Sequence, residues 1–304
     1  MIVFVTGASG ALGRPTVTQL RAAGHDVRAL TRSAKRAALL REAGAEPVEG
    51  NLFKPLTWRE AMTGSDAVLH LATRIPTPRK ARRRGAWAHN NRIRTDGTRL
   101  LVSAAIAAGV ERVIYPSVTM LYGDGADRVL AAGTEGTREQ PTWILESTLA
   151  AEKEVRRFTE SGRTGVVLRL GNLYGPHSGS PDPAIATAQR GINAFVGRPE
   201  AYQALLWDED AASALVTALT APPGTYDVVD DEPLTRAELG EVLSAVVDRP
   251  VREMPVWFSR GLLRAGAAHM LRSQRVSHAA YTEATGWVPL VPSAREGFKR
   301  LAET

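Results

Sequence analysis

Thr6-Gly7-Ala8-Ser9-Gly10-Ala11-Leu12-Gly13 follows directly on the apolar run Ile2-Val3-Phe4-Val5. It opens onto a segment, Arg14 to Ala23, whose Val17 and Leu20 fall on one helical face. Strand, glycine-rich turn and helix in that order suit one ligand group. The glycines let the turn close tightly, the backbone N–H groups face an anion, and the helix N-terminus adds partial positive charge. The reading is a cradle for a dinucleotide pyrophosphate, contacted by Gly7, Ser9, Gly10, Ala11, Leu12 and Gly13. The alternative is an empty cradle of the same build.

Outward from this unit, strand and helix keep alternating. Strands are predicted at Val27–Leu30, Glu46–Glu49, Asp66–His70, Arg112–Tyr115 and Gly165–Leu170. Helices are predicted near residues 34–43, 94–108 and 147–161. This spacing argues for an α/β fold, a Rossmann-type doubly wound parallel sheet whose strand ends share one ligand-binding edge. After Gly175-Pro176 the alternation breaks, with helix, strand and helix at 208–219, 226–229 and 235–247 and further helical stretches near 258–272 and 293–303. The expected organisation is a dinucleotide-binding domain over 1–175, with segments from about 205–230 returning to it. A smaller substrate lobe covers 176–304.

The chain has 304 residues, 44% of them apolar, enough for a packed interior. It has no cysteine, which excludes disulfides, thiolate nucleophiles and cysteine metal sites. Its six histidines show no metal-ligand spacing. The start lacks a signal-peptide pattern and no apolar run reaches about 18 residues, so a cytoplasmic protein without a membrane span is expected. The net charge of +6 comes without a nucleic-acid motif, and no nucleic-acid partner is expected. The basic run Pro78 to Gly85 is either a solvated loop or, with Arg74, a flap that orients an acidic group of a ligand. His70 ends a strand and reads as structural.

The second strand ends in Leu30-Thr31-Arg32. An acidic residue there would hold the ribose 2′-hydroxyl of NAD and repel a 2′-phosphate. Thr31 is neutral, and Arg32, backed by Lys35 and Arg36, suits that phosphate. NADPH is the expected cofactor, with NADH also admitted.

These residues resemble the extended short-chain dehydrogenase/reductase family, which holds sugar epimerases and dehydratases. The resemblance runs through nearly the whole chain. TGASGALG is similar to the family's glycine motif, Gly50-Asn51-Leu52 to its adenine contact, and His70-Leu71-Ala72-Thr73 to its cofactor-cradling strand end. DGTRLLVSAAIAAGVERVIYPS at 96–117, LAAEKEV at 149–155 and RLGNLYGP at 169–176 resemble its helix and fifth strand, active-site helix and nicotinamide-side loop. Asp210-Ala211-Ala212, Tyr226-Asp227-Val228 and Gly286-Trp287-Val288-Pro289 resemble its C-terminal landmarks. The resemblance implies cofactor contacts from Asn51, Leu52, Leu71, Ala72, Thr73, Arg169, Gly171, Asn172 and Leu173.

Its departures fall on the chemistry. The family's proton donor is a Tyr followed four residues later by Lys, and none of the six tyrosines here has such a lysine. By the resemblance, Val118, Ile144 and Thr148 stand at the Ser/Thr, Tyr and Lys places, and Arg94 at that of a helix Asn. Ser117 and Thr119 are the remaining candidates for a hydroxyl donor. Met120, Tyr122, Trp143, Ile144 and His177, with Arg74, are the candidate substrate contacts.

Hydride addition to a ketone leaves an alkoxide, and a general acid is worth about 10²–10⁴ in rate. Without Tyr–Lys, the proton must come from water or from the substrate, as from a phenol beside the ketone. The pattern resembles atypical ketoreductases of antibiotic biosynthesis. It implies reduction of an aromatic polyketide of angucyclinone type by a monomer or homodimer. The alternatives are a non-redox cyclase or isomerase with bound NADP as pocket floor, and a nucleotide-sensing regulator.

Overall fold

The computed structural model describes residues 1–81, 83–134, 137, 139–179, 182–254 and 269–303. Most of the stretch expected as a helix near 258–272, and Arg82 of the basic run, lie outside the described residues.

The first strand, β1 (Ile2–Thr6), pairs with β2 (Asp26–Thr31) on one side and β4 (Ala67–His70) on the other, both parallel. β2 continues to β3 (Glu46–Glu49) and β4 to β5 (Arg112–Val118), again parallel. After β6 (Val129–Leu130), β7 (Thr164–Leu170) extends the sheet. Next come β8 (Asn172–Tyr174), β9 (Tyr202–Gln203) and β10 (Leu205–Trp207), and then β11 (Gly224–Val228), which closes the sheet. The order is β11-β7-β5-β4-β1-β2-β3, so the strand sequence reverses between β1 and β4. Ligands of such sheets bind at that reversal. Val3, Phe4 and Val5 of β1 and Ala67, Val68 and Leu69 of β4 are fully buried, as strands covered on both faces require.

The first helices, α1 (Gly13–Ala22) and α2 (Ala34–Glu42), lie close to the sequence expectation. The helix expected at 94–108 does not begin there. After a short turn, α3 (Pro78–Ala81), comes α4 (Ala88–Arg92), then a π-turn at Ile93–Gly97, then α5 (Thr98–Ala107). The polar run before Ile93 hid the start, because it carries no apolar period for a pattern reading to catch. The helix α6 (Glu146–Glu160) turns Ala151, Val155 and Phe158 into the apolar core with Leu101, Val102 and Ala105 of α5.

The chain forms two compact units. The first holds residues 1–117, 146–168 and 212–225; the second holds 118–145, 169–211 and 226–304. The chain crosses between the units several times, beside the expectation of a domain over 1–175 to which segments from about 205–230 return. In the second unit β8 runs parallel to β10, and Tyr174, Trp207, Leu239, Leu243 and Phe298 build a core of their own. The Tyr174 and Phe298 rings are 4.9 Å apart. No helix among the described residues is long and apolar enough to cross a membrane.

Candidate functional site

A groove of about 240 Å³ opens in the first unit at the strand reversal. The β1 tip contributes Thr6, Gly7, Ser9 and Gly10; the β2 tip contributes Leu30, Thr31, Arg32 and Arg36. Gly50, Asn51, Leu52 and Phe53 follow β3, Leu71, Ala72 and Thr73 follow β4, and His89 and Ile93 complete the lining. Ten of the expected cofactor contacts thus share one groove: Gly7, Ser9, Gly10, Thr31, Arg32, Asn51, Leu52, Leu71, Ala72 and Thr73. Ala11, Leu12 and Gly13 are not among its lining residues. Phe53, His89 and Ile93 had no local signal; His89 sits on the helix that the pattern reading did not find.

The glycine turn is tight for steric reasons. Gly7 has φ +75°, and a Cβ there would stand 2.5 Å from the Leu71 carbonyl carbon. A Cβ on Gly13 would strike the Gly7 carbonyl oxygen and Ala8. Gly10 is different: a Cβ would meet one atom, the Gly7 oxygen at 3.2 Å, and otherwise open space. The Gly10 amide closes the turn on the Gly7 oxygen at 2.9 Å. Among the described residues no backbone acceptor takes the Ala11 or Leu12 amides. Donors left free at the start of α1 fit an anionic diphosphate.

The outer end of the groove is positive. Burial pushes the His89 imidazole below its ordinary range, and the nearby cations Arg74, Arg32 and Arg92 push it the same way. The Arg92 guanidinium lies 4.3 Å over the Phe53 ring, and His89 meets that ring edge-on at 5.8 Å. Phe53 thus gives an aromatic face beside Arg32 and Arg36, a combination suited to a phosphorylated purine nucleoside.

Under the tips of β4 and β5 the first unit buries a polar cluster. The Thr6 hydroxyl and His70 Nδ1 are 2.6 Å apart, and burial holds His70 down at about 4, so it is neutral and structural as expected. The Ser117 hydroxyl donates to Glu152, and both residues are nearly inaccessible. Ser117 is therefore committed to a carboxylate and does not present a free donor. The Arg94 guanidinium donates to the Thr148 hydroxyl, and the Ser147 hydroxyl donates to Asn91 Oδ1 at 3.0 Å.

The remaining expected residues lie in the second unit. Tyr122 is 1% exposed, and its hydroxyl donates to Asp227 Oδ1 at 2.7 Å. Burial, then the Asp227 charge, pushes its phenol well above the ordinary tyrosine range. The expected substrate contact at Tyr122 is corrected: it is an internal strut. Ile144 is also buried, whereas Val118, Met120 and Trp143 are half-buried. Thr119 is buried with its hydroxyl unpartnered. The His177 amide donates to Asp208 Oδ2 at 2.7 Å, and its ring lies 3.6 Å from Glu209. Arg169 is ion-paired to Glu139 and sits 5.0 Å over the Tyr122 ring. The amides of Gly171 and Asn172 are bonded to Val228 and Ala204, each at 2.9 Å, while Leu173 is half-buried in β8. Neither of those amides is left to a ligand.

Comparison with known proteins agrees with this geometry. The model of the NAD dependent epimerase/dehydratase family matches residues 3–228. The 3-diazoavenalumate denitrifying reductase of a Streptomyces species is 33% identical over 99% of this chain and 100% of its own. The 4-hydroxy-2-methyl-3-oxo-4-farnesyl-3,4-dihydroquinoline-1-oxide ketoreductase of Stigmatella aurantiaca is 32% identical over 58% of this chain and 51% of its own. Among solved structures, the UDP-glucose 4-epimerase of Thermotoga maritima aligns with TM-score 0.79 at 20% identity, covering 100% of this chain and 98% of that one. MoeE5 in complex with UDP-glucose and NAD aligns with TM-score 0.78 at 23% identity, over 100% of this chain and 98% of its own. These two establish the fold. The chain belongs to the NAD dependent epimerase/dehydratase family and is an NAD(P)-dependent oxidoreductase of the extended short-chain dehydrogenase/reductase type.

Proposed function

We propose that the protein is an NADPH-dependent ketoreductase of antibiotic biosynthesis, acting on a ketone of an aromatic polyketide of angucyclinone type. The observation that carries the reading is the missing acid. No tyrosine has a lysine four residues on; Ile144 is buried and carries no proton to give, and the Thr148 hydroxyl is bound to Arg94. When bound, the nicotinamide supplies hydride. The chain's residues then hold and orient the ketone, and the proton comes from a phenol of the substrate itself or from water. The similarity to a denitrifying reductase and to a quinoline-oxide ketoreductase supports this reading.

NADPH is preferred over NADH in this reading because Thr31 is neutral and Arg32 and Arg36 line the same groove. The Ala11 and Leu12 amides hold the pyrophosphate. Arg169, Gly171, Asn172 and Leu173 stand toward the nicotinamide, by side chain or carbonyl where the amide is taken. Met120, Trp143, Ile144, His177 and Arg74 bound the substrate. The protein works as a monomer or homodimer.

A second reading is favoured by the full-length relative that removes nitrogen from a diazo compound. Hydride added to an arenediazonium carbon gives the arene and dinitrogen, and no alkoxide forms. Such chemistry also dispenses with Tyr–Lys.

The test is NADPH oxidation against matched polyketide ketones with and without a hydroxyl beside the carbonyl, and against an arenediazonium salt with dinitrogen measured. Turnover of the hydroxylated ketone alone supports substrate-assisted protonation. Turnover of the diazonium alone moves the assignment to the second reading. Oxidation with none of them, despite NADPH binding, overturns both in favour of a non-redox role.

A further inference from the structure

We propose that the basic flap from Arg74 to Arg84 is an electrostatic guide that speeds the capture of a phosphorylated dinucleotide, and so favours NADPH over NADH on the way in. The inference rests on the dinucleotide reading above and adds to it residues that line no part of the groove.

The run from Arg74 to Arg84 holds six cations, as many as the net charge of +6 of the whole chain. No Asp or Glu occurs anywhere from Ala67 to Thr95. Arg74, Lys80, Arg83 and Arg84 are exposed. Among the described residues Arg92 pairs with Asp96 at 3.4 Å, whereas Arg74, Lys80 and Arg83 enter no ion pair. Like charges without partners repel one another and weaken a compact state. Gathered on one short segment, they also make a local positive field that reaches about 10 Å at 0.1 M salt and about 30 Å at 0.01 M.

The flap is rooted in the groove at both ends. It leaves directly after Thr73, and the chain returns at His89; both residues line the groove. The Arg74 amide donates to Asn90 Oδ1 at 2.9 Å, and Asn90 is fully buried. The indole N–H of the buried Trp87 donates to the Ala81 carbonyl at 2.8 Å. The amides of Lys80 and Ala81 bond to the Thr77 carbonyl at 2.8 and 2.9 Å. These bonds give the described part of the flap a fixed course.

The end of the groove that it borders decides the ligand. Arg74 bears on the His89 imidazole together with Arg32, so the root of the flap and the β2 tip act on one spot. Arg32 and Arg36 line the groove, whereas Lys80, Arg83 and Arg84 do not. Cations that do not touch a ligand act on its approach and leave its escape to the contact residues. The 2′-phosphate of NADPH adds a charge of about −1.5 to −2 at neutral pH. The same field therefore draws NADPH more strongly than NADH.

The test is stopped-flow fluorescence with the full-length protein, NADPH and NADH, at low salt (about 20 mM) and high salt (about 0.5 M). Lys80→Gln with Arg83→Gln removes two charges; Lys80→Arg with Arg83→Lys keeps both. At low salt the neutral variant should associate with NADPH about 5–10-fold more slowly and with NADH about 2–3-fold more slowly. Dissociation should stay within about 2-fold, the charge-keeping variant should match the unaltered protein, and high salt should erase the difference. An unchanged association rate at low salt would make the flap a solvated loop and overturn the proposal. Faster dissociation at an unchanged association rate would make it a contact surface and overturn the proposal too. If the unaltered protein bound neither dinucleotide, the reading beneath the proposal would be the one to fail.

Discussion

The Tyr122 hydroxyl donates to Asp227 Oδ1 at 2.7 Å, and the other Asp227 oxygen accepts from the Ala132 amide at 2.7 Å. The tyrosine that the sequence offered as a substrate contact thus braces the interior of the second unit. Tyr122→Phe should leave kcat within about 3-fold. It should lower stability by roughly 1–2 kcal/mol, the cost of a buried acceptor that loses its donor. Urea unfolding beside steady-state assays separates the two effects, and a 10²-fold loss of kcat at unchanged stability would return Tyr122 to the chemistry.

Restoring the family's donor should fail. Thr148 has no exposed surface and accepts from Arg94. In Ile144→Tyr with Thr148→Lys, the new ammonium is buried against a guanidinium, so the variant should be destabilised by several kcal/mol and gain no activity. Adding Arg94→Asn should relieve the stability loss. A large gain of ketone reduction in the double variant would sink the mechanism without a Tyr–Lys acid.

Cofactor choice should follow the β2 tip. Replacing Arg32 and Arg36 by Ser should raise the NADPH Kd by about 10–100-fold and change NADH by less than about 3-fold, since only a 2′-phosphate loses its partners. Fluorescence titration with both cofactors reads this directly. Equal losses would mean that the arginines act on something common to the two.

The three turn glycines should not be equivalent. Gly13→Ala forces a methyl onto the Gly7 oxygen and should cost both fold and cofactor. Gly10→Ala meets only that oxygen at 3.2 Å, so the protein should fold normally yet bind NADPH about 10-fold or more weakly, because the methyl projects where the diphosphate lies. Calorimetric unfolding with and without NADPH distinguishes these outcomes.

Stability should also carry a signature of Asp230. Burial raises its carboxyl to about 7, although the Tyr174 hydroxyl and the Trp207 amide donate to it. Between the ordinary carboxyl range and about 7 the folded state binds more protons than the unfolded one, so stability falls as pH rises through that window and levels off above it. His70, held down at about 4, acts oppositely: stability rises as pH climbs from about 4 to its ordinary value of 6.5. Asp230→Asn should remove the descending component, on the order of a few kcal/mol, and leave a rising curve. An unchanged pH profile in this variant would contradict the assignment.

The parallel sheet was legible because it rests on local signals: the apolar run before Gly7, the turn glycines and the repeated strand–helix spacing. That Thr31, Arg32 and Asn51 share one groove was legible for the same reason, since each sits at a strand end. What the sequence hid depends on long-range packing. Tyr122 meets Asp227 across 105 positions, and Ser117 meets Glu152 across 35, so neither commitment has a local pattern. His89 was missed because its helix lacks an apolar stripe. Arg94 was noticed only as a misfit, because its partner Thr148 lies 54 positions away.

The wide turn at Ile93–Gly97 has an evolutionary reading. A π-turn holds one residue more than the α-helix that surrounds it. Deleting a single codon between positions 93 and 97 would restore regular winding and remove the bulge on which Arg94 reaches Thr148. Descendants of this gene are thus one small deletion from losing the pair, and one insertion would have sufficed to create it.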